Sequence, residues 1–276
     1  MLFYLILLFS VICSSAGVSY ARSTTCITIC KTLTFLLLFV PVAIRYNVGK
    51  DYPMYIEMYQ AITYGGITGI EWGYWWLNYI IFLCGGNAQW GLAIMAFFTL
   101  YFFFKGVDCK YWFIYSILFI LIFYMWYCST VRQMLSVALA FYAWRESENK
   151  KYVTAIFSLV FAFLFHYSAI LYPAIYLLCK KITLQKKTCI ILSLGCLVFT
   201  ILFGRTLLSI FTFVVSETVY GVKYMDGIMF DPPETASGMG IIIRFIMFFI
   251  ILIFFPTNKI PNGKFIITRG ILCRPL

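Results

Sequence analysis

The chain has 276 residues, 63% of them hydrophobic and only 11% charged, which leaves too little polar surface to cover a soluble core. A soluble globular domain is excluded, and the composition reads as an integral membrane protein. The net charge of +11 sits in short loops between apolar runs and forms no continuous basic face, so nucleic acid is excluded as a partner.

Met1 to Ala21 is apolar and ends in small residues, but it lacks the positive n-region of a secretory signal. It is therefore read as a retained first membrane helix with its N-terminus outside. Runs able to cross about 30 Å of hydrocarbon predict helices at 2–20, 27–44, 88–104, 111–128, 132–145, 152–166, 168–179, 188–214 and 239–256. The expected fold is all-α, a polytopic integral membrane protein with about nine membrane helices, several short or broken. The whole of 1–276 reads as one transmembrane domain. The segment 71–86 is left open between a short span and an interfacial or re-entrant element. Aromatic clusters such as Trp72-Gly73-Tyr74-Trp75-Trp76 read mainly as interfacial anchors. The ten cysteines contain no C-x-x-C pair and read as small core residues, supporting neither zinc nor a disulfide framework.

Basic loops are expected on the cytoplasmic side. Those around Arg22, Lys105, Arg145, Lys180 and the tail carry 15 of the 21 bases, with only Asp108, Glu146 and Glu148 among the acids. If 71–86 does not cross, a single alternation satisfies every loop. Loops 45–70 and 216–238 then fall on the extracytoplasmic side, together with Arg45 to Asp51, Arg132, His166 and Arg244.

Charged groups at membrane depth are unfavourable by about 2.5–3.5 kcal/mol each, so these positions are the candidate site. Arg45 ends a helix, and Gly49 permits the tight turn that presents Lys50 and Asp51. Snorkelling at a helix end is the competing account of Arg45. Arg132 follows a break between two apolar runs, with Gln133 beside it, and its guanidinium fork matches phosphate or carboxylate oxygens. His166, the only histidine, interrupts the run Phe157 to Phe165. A hydrogen-bonded structural role and a proton-transfer role are both open to it. A Walker-type phosphate loop, a serine nucleophile elbow and an H-E-x-x-H signature are all missing from the sequence.

Four segments in order, Arg45-x-x-Val48-Gly49-x-Asp51-x-x-x-Tyr55, Glu71-x-Gly73-Tyr74, Val131-Arg132-Gln133 and Phe165-His166-Tyr167-Ser168-Ala169-Ile170, resemble the EpsG-type branch of Wzy-like polysaccharide polymerases. The resemblance covers residues 1–180. It implies a multi-pass protein of the bacterial inner (cytoplasmic) membrane. Such a protein polymerises undecaprenyl-diphosphate-linked repeat units into exopolysaccharide, capsule or O-antigen at the outer face. Carried over by position, the motif residues are Arg45, Gly49, Asp51, Arg132, Gln133 and His166. Members of the family continue into further helices, whereas 263–276 does not read as a span, so a C-terminus truncated relative to the family is expected.

The resulting expectation is a metal-independent glycosyl transfer without cofactor. Arg45, Arg132, Gln133 and Arg244 bind the diphosphate, Gly49 supplies the turn, and either His166 or Asp51 is the base. The partners are lipid-linked glycan and membrane lipid, with a chain-length regulator and a flippase of the same pathway. A transporter or flippase of lipid-linked oligosaccharide would use the same arginines, and a purely structural subunit is the third alternative.

Overall fold

A computed structural model describes residues 2–65, 69–181 and short helical pieces within 188–206. The chain divides into two compact units, and the account below concerns the one that contains Met1–Leu178. The described residues are helical and contain no strand. Among the described residues, four apolar segments are long enough to cross a membrane: Leu2–Tyr20 (α1), Thr24–Ala43 (α2), Ala88–Lys105 (α5) and Cys109–Ser129. The expected helix 188–214 is described only in pieces, and 239–256, loop 216–238 and Arg244 lie outside the described residues.

Local chemistry sets several boundaries. The α2 helix starts at Thr24, earlier than expected, because Ser23 accepts a hydrogen bond from the Cys26 amide at 3.1 Å and caps it. Within 109–129, a helix at Trp112–Leu118 (α6) passes through a π turn at Phe119–Phe123 into Tyr124–Ser129 (α7). The Tyr4 hydroxyl of α1 donates to the Ile120 carbonyl in that turn, so a side chain from a neighbouring helix satisfies a group the irregular ladder exposes. Thr34 of α2 donates to Ser14 of α1 at 3.0 Å, a polar tie between two otherwise apolar helices.

The segment expected as loop 45–70 contains a helix, Tyr52–Thr63 (α3), and a second short helix follows at Trp72–Leu83 (α4). Each is 12 residues, about 18 Å, too short to span. Both ends of this excursion lie together. Gln89, in the first turn of α5, donates to the Ala43 carbonyl at the end of α2 at 2.5 Å, and Tyr59 of α3 donates to Gly86 at 2.7 Å. The chain thus leaves and rejoins the bundle at one end, which favours the interfacial or re-entrant reading of 71–86.

After a single-residue break at Thr130 come Val131–Glu148 (α8), longer than expected by about a turn, and Tyr152–Phe165 (α9). A 3-10 turn at Tyr167–Leu171 leads into Tyr172–Lys181 (α10). Buried Tyr127 donates to the Ala96 carbonyl of α5 at 2.8 Å, joining α7 to the core. Large apolar side chains such as Phe3, Phe9, Val153 and Phe161 face outward, as lipid-facing surface does. Of the described cysteines Cys128 is buried and Cys30 is half-buried against the core, whereas Cys13, Cys26, Cys84, Cys109 and Cys196 are exposed, so the core reading of those five is corrected. A weakly polar thiol is tolerated against lipid as readily as inside a bundle.

Candidate functional site

The α2 C-terminus, the N-termini of α3, α4 and α8, and the C-terminus of α9 meet at the same end of this unit. Two glycines let them approach. Gly49 has φ +102°, and a Cβ there would lie 2.2 Å from the Cys128 carbonyl oxygen, so the 45–51 turn lies flat against the end of α7. The Lys50 amide donates to Ser129 at 3.2 Å and pins the turn to the break that precedes Arg132. Gly73, in the first turn of α4, would place a Cβ 2.8 Å from the Leu164 carbonyl oxygen. That contact sets the start of α4 against the last turn of α9, beside His166.

The centre of the cluster is Glu71, buried at 6% exposure. It holds the N-cap position of α4, yet its side chain makes no cap hydrogen bond. One carboxylate oxygen pairs with Arg132 and the other lies 3.1 Å from Nδ1 of His166. The Arg132 guanidinium lies 5.8 Å from the Tyr55 ring centroid and 5.2 Å from that of Tyr74, an aromatic cradle for the cation. Tyr74, expected as an interfacial anchor, is 1% exposed and belongs to this cradle, whereas Trp72 and Trp76 of the same run are exposed.

Burial is the largest influence on Glu71 and raises its pKa. The His166 hydrogen bond and the Arg132 charge together outweigh burial, leaving the group below its ordinary value. Glu71 is therefore an acceptor, and the ring nitrogen facing it must be the donor. Nδ1–H of His166 is directed at Glu71, which leaves Nε2 as the basic nitrogen of the neutral ring. Asp51 holds the N-cap position of α3, also without a side-chain cap bond. Burial raises its pKa, and the charges of Lys50 and Arg132 offset this only in part.

The other expected residues are placed differently. Arg45 is buried and folds back on its own turn, donating from Nε to Val48 at 3.1 Å and from NH1 to Val42 at 2.8 Å. Burial lowers its pKa, with buried neighbours such as Cys128 and Tyr127 partly opposing the shift. This geometry closes the end of α2, and the hydrogen bonds of the guanidinium go to its own turn and not to Glu71. Gln133 is exposed and lies outside the cluster. The structure brings together Asp51, Arg132 and His166, and adds Glu71, Tyr55 and Tyr74. The signal for Glu71 was an acid between Ile70 and Trp72 in an apolar stretch, a buried charge that requires a partner.

These features define an all-helical membrane protein with a buried ionic cluster where its broken helices meet. The family model described as EpsG family matches residues 28–273, and the chain belongs to that family. The match continues past residue 180, where the resemblance drawn from the sequence motifs ends. Membership makes it a membrane protein of polysaccharide biosynthesis, in the polymerase line. No curated protein and no solved structure matches the chain.

Proposed function

We propose that the protein polymerises undecaprenyl-diphosphate-linked oligosaccharide repeat units into exopolysaccharide, capsule or O-antigen at the outer face of the bacterial cytoplasmic membrane. The observation that carries this reading is one carboxylate, Glu71, shared by a histidine and an arginine. In glycosyl transfer, an acceptor hydroxyl attacks the anomeric carbon of the donor while the bond from that carbon to the diphosphate oxygen breaks. The hydroxyl proton passes to Nε2 of His166, whose ring is oriented by Glu71 and whose positive charge the carboxylate then stabilises. Negative charge develops on the departing polyprenyl diphosphate. Arg132, anchored by Glu71 and cradled by Tyr55 and Tyr74, meets that charge with the part of its guanidinium that remains accessible, the side chain being 15% exposed.

This scheme takes its positive charge from Arg132 and needs no metal. It favours His166 over Asp51 as base, and leaves Asp51 to tune the field at Arg132. Arg45 becomes a structural cap in this reading. Chain-length regulators and flippases of the pathway are the expected neighbours.

The test is turnover of purified lipid-linked repeat units by His166→Gln. The expected result is a rate lower by about 10²–10⁴-fold with donor binding retained. Near-wild-type turnover would remove His166 from the mechanism. In cells, loss of the gene should collapse a glycan ladder to single repeat units, whereas loss of all surface glycan would favour translocation.

A further inference from the structure

A groove of about 480 Å³ opens beside α3, lined by Ile44, Arg45, Tyr46, Tyr52, Ile56, Tyr59, Gln60 and the start of α5, Asn87 to Gln89. That volume lies in the range of small-molecule sites. Positions 52, 56, 59 and 60 share one face of α3 by helical spacing, while Tyr55 on the neighbouring face meets Arg132. A single short helix therefore serves both the groove and the ionic cluster.

Part of the wall is held by internal hydrogen bonds. Tyr52 donates to Gln89 at 3.1 Å, Gln89 to Ala43, and Tyr59 to Gly86. The Asn87 Oδ1 accepts from the Gln89 amide at 3.1 Å and caps α5. Its Nδ2, the Gln60 side-chain amide and the Tyr46 hydroxyl have no hydrogen-bond partner among the described residues. Tyr46 is 85% exposed and sits edge-on to Tyr52, with ring centroids 6.1 Å apart. Its backbone is shaped by Asn47, left-handed at φ 51°, and by Gly49 packed against Cys128. Aromatic rings with uncommitted side-chain amides around them suit the apolar face and hydroxyl edge of a pyranose. The one cation in the wall, Arg45, is 5% exposed, with Nε and NH1 bound to carbonyls and NH2 buried without a partner, which limits its direct contact with a ligand in the groove.

We propose that this groove is a neutral-sugar subsite, which holds the glycan of a lipid-linked repeat unit away from the reacting end. The proposal rests on the polymerase reading above. The probe is the oligosaccharide obtained by mild acid cleavage of the producing strain's own polysaccharide, titrated by saturation-transfer NMR into the purified full-length protein in nanodiscs. The wild type and His166→Gln should bind it alike. Tyr46→Ala, and separately Gln60→Ala with Asn87→Ala, should weaken binding at least ten-fold, while Tyr46→Phe, which keeps the ring, should lose much less. Tyr46→Ala should also raise KM for lipid-linked repeat units with kcat retained. Absence of wild-type binding, or equal binding by the groove variants, would overturn the subsite. Displacement of the oligosaccharide by farnesyl diphosphate would overturn it too, by assigning the groove to the prenyl chain. Full turnover by His166→Gln would instead count against the reaction scheme and leave the binding result intact.

Discussion

The two ends of the described bundle handle charge in opposite ways. At one end a single carboxylate, 8% exposed in its side chain, is shared by Arg132 and His166. At the other, pairs lie near the surface: Arg145 reaches Asp108 at 2.5 Å and the Lys105 carbonyl at 3.3 Å, Lys151 reaches Glu146 at 3.6 Å, and Tyr176 joins Ser147 to Glu148. Asp108 and Lys151 are 45% and 66% exposed in their side chains, and Glu146, though buried, has only the exposed Lys151 as its ionic partner among the described residues. A pair with an exposed partner is screened by solvent, and one such as Arg145 with Asp108 contributes at most about 1 kcal/mol. A buried pair gains little over an apolar filling and loses heavily when one partner goes. Its retention beside a histidine at a helix break is what marks the first end as the place for chemistry.

The contrast is tested most severely by Glu71→Gln, which keeps the shape and removes the charge. Arg132 is then left uncompensated, and the expected loss is about 3–5 kcal/mol of stability together with polymerisation. Glu71→Leu combined with Arg132→Met should restore the melting temperature without restoring long chains. A double variant that still builds polymer would reduce the cluster to packing.

The next largest effect is expected for Gly49→Ala. It imposes a side chain at φ +102° against the Cys128 carbonyl, at more than about 1 kcal/mol. Shortened glycan chains and a lowered unfolding temperature should appear together, and an unchanged profile would show that the 45–51 turn need not be docked.

A smaller effect concerns pH. The folded-state pKa of Glu71 lies below its ordinary value of 4.5. Its contribution is therefore complete above about that pH and is lost as the pH falls through the lower folded value. Asp51, raised above 3.8, acts in the opposite sense: its contribution is present below that pH and is lost as the pH rises through the raised value. Melting of the wild type between pH 6 and 3 should fall more steeply than that of Glu71→Gln, and parallel curves would contradict the pairing. The least effect is predicted for Asp108→Asn, less than about 1 kcal/mol with normal chain length. A large loss there would erase the difference between the two ends.

Much of the frame was legible in the sequence, because lipid solubility is a local property. Apolar runs located α1, α2, α5 and the 109–129 segment, and a break next to Arg132 is legible because polar residues interrupt two runs there. His166 was placed at a helix end for the same reason, and Gly49 was marked as a turn. The α3 helix was hidden in an expected loop, since Tyr52 to Thr63 mixes Glu57, Gln60 and Thr63 among its apolar residues and is too short for a membrane-span criterion.

The sequence by itself determined that several ionisable groups would face the cost of burial. Only tertiary structure decided how that cost is offset. Glu71 lies 61 positions from Arg132 and 95 from His166, and no periodicity links them. The approach of α4 to α9 at Gly73, and of the 45–51 turn to α7 at Gly49, selects the partners. Tyr74 became a wall of the Arg132 cradle and Arg45 a cap on its own helix by the same packing, because desolvation requires a buried charge to find a partner but leaves the choice to whichever groups the folded backbone brings within reach.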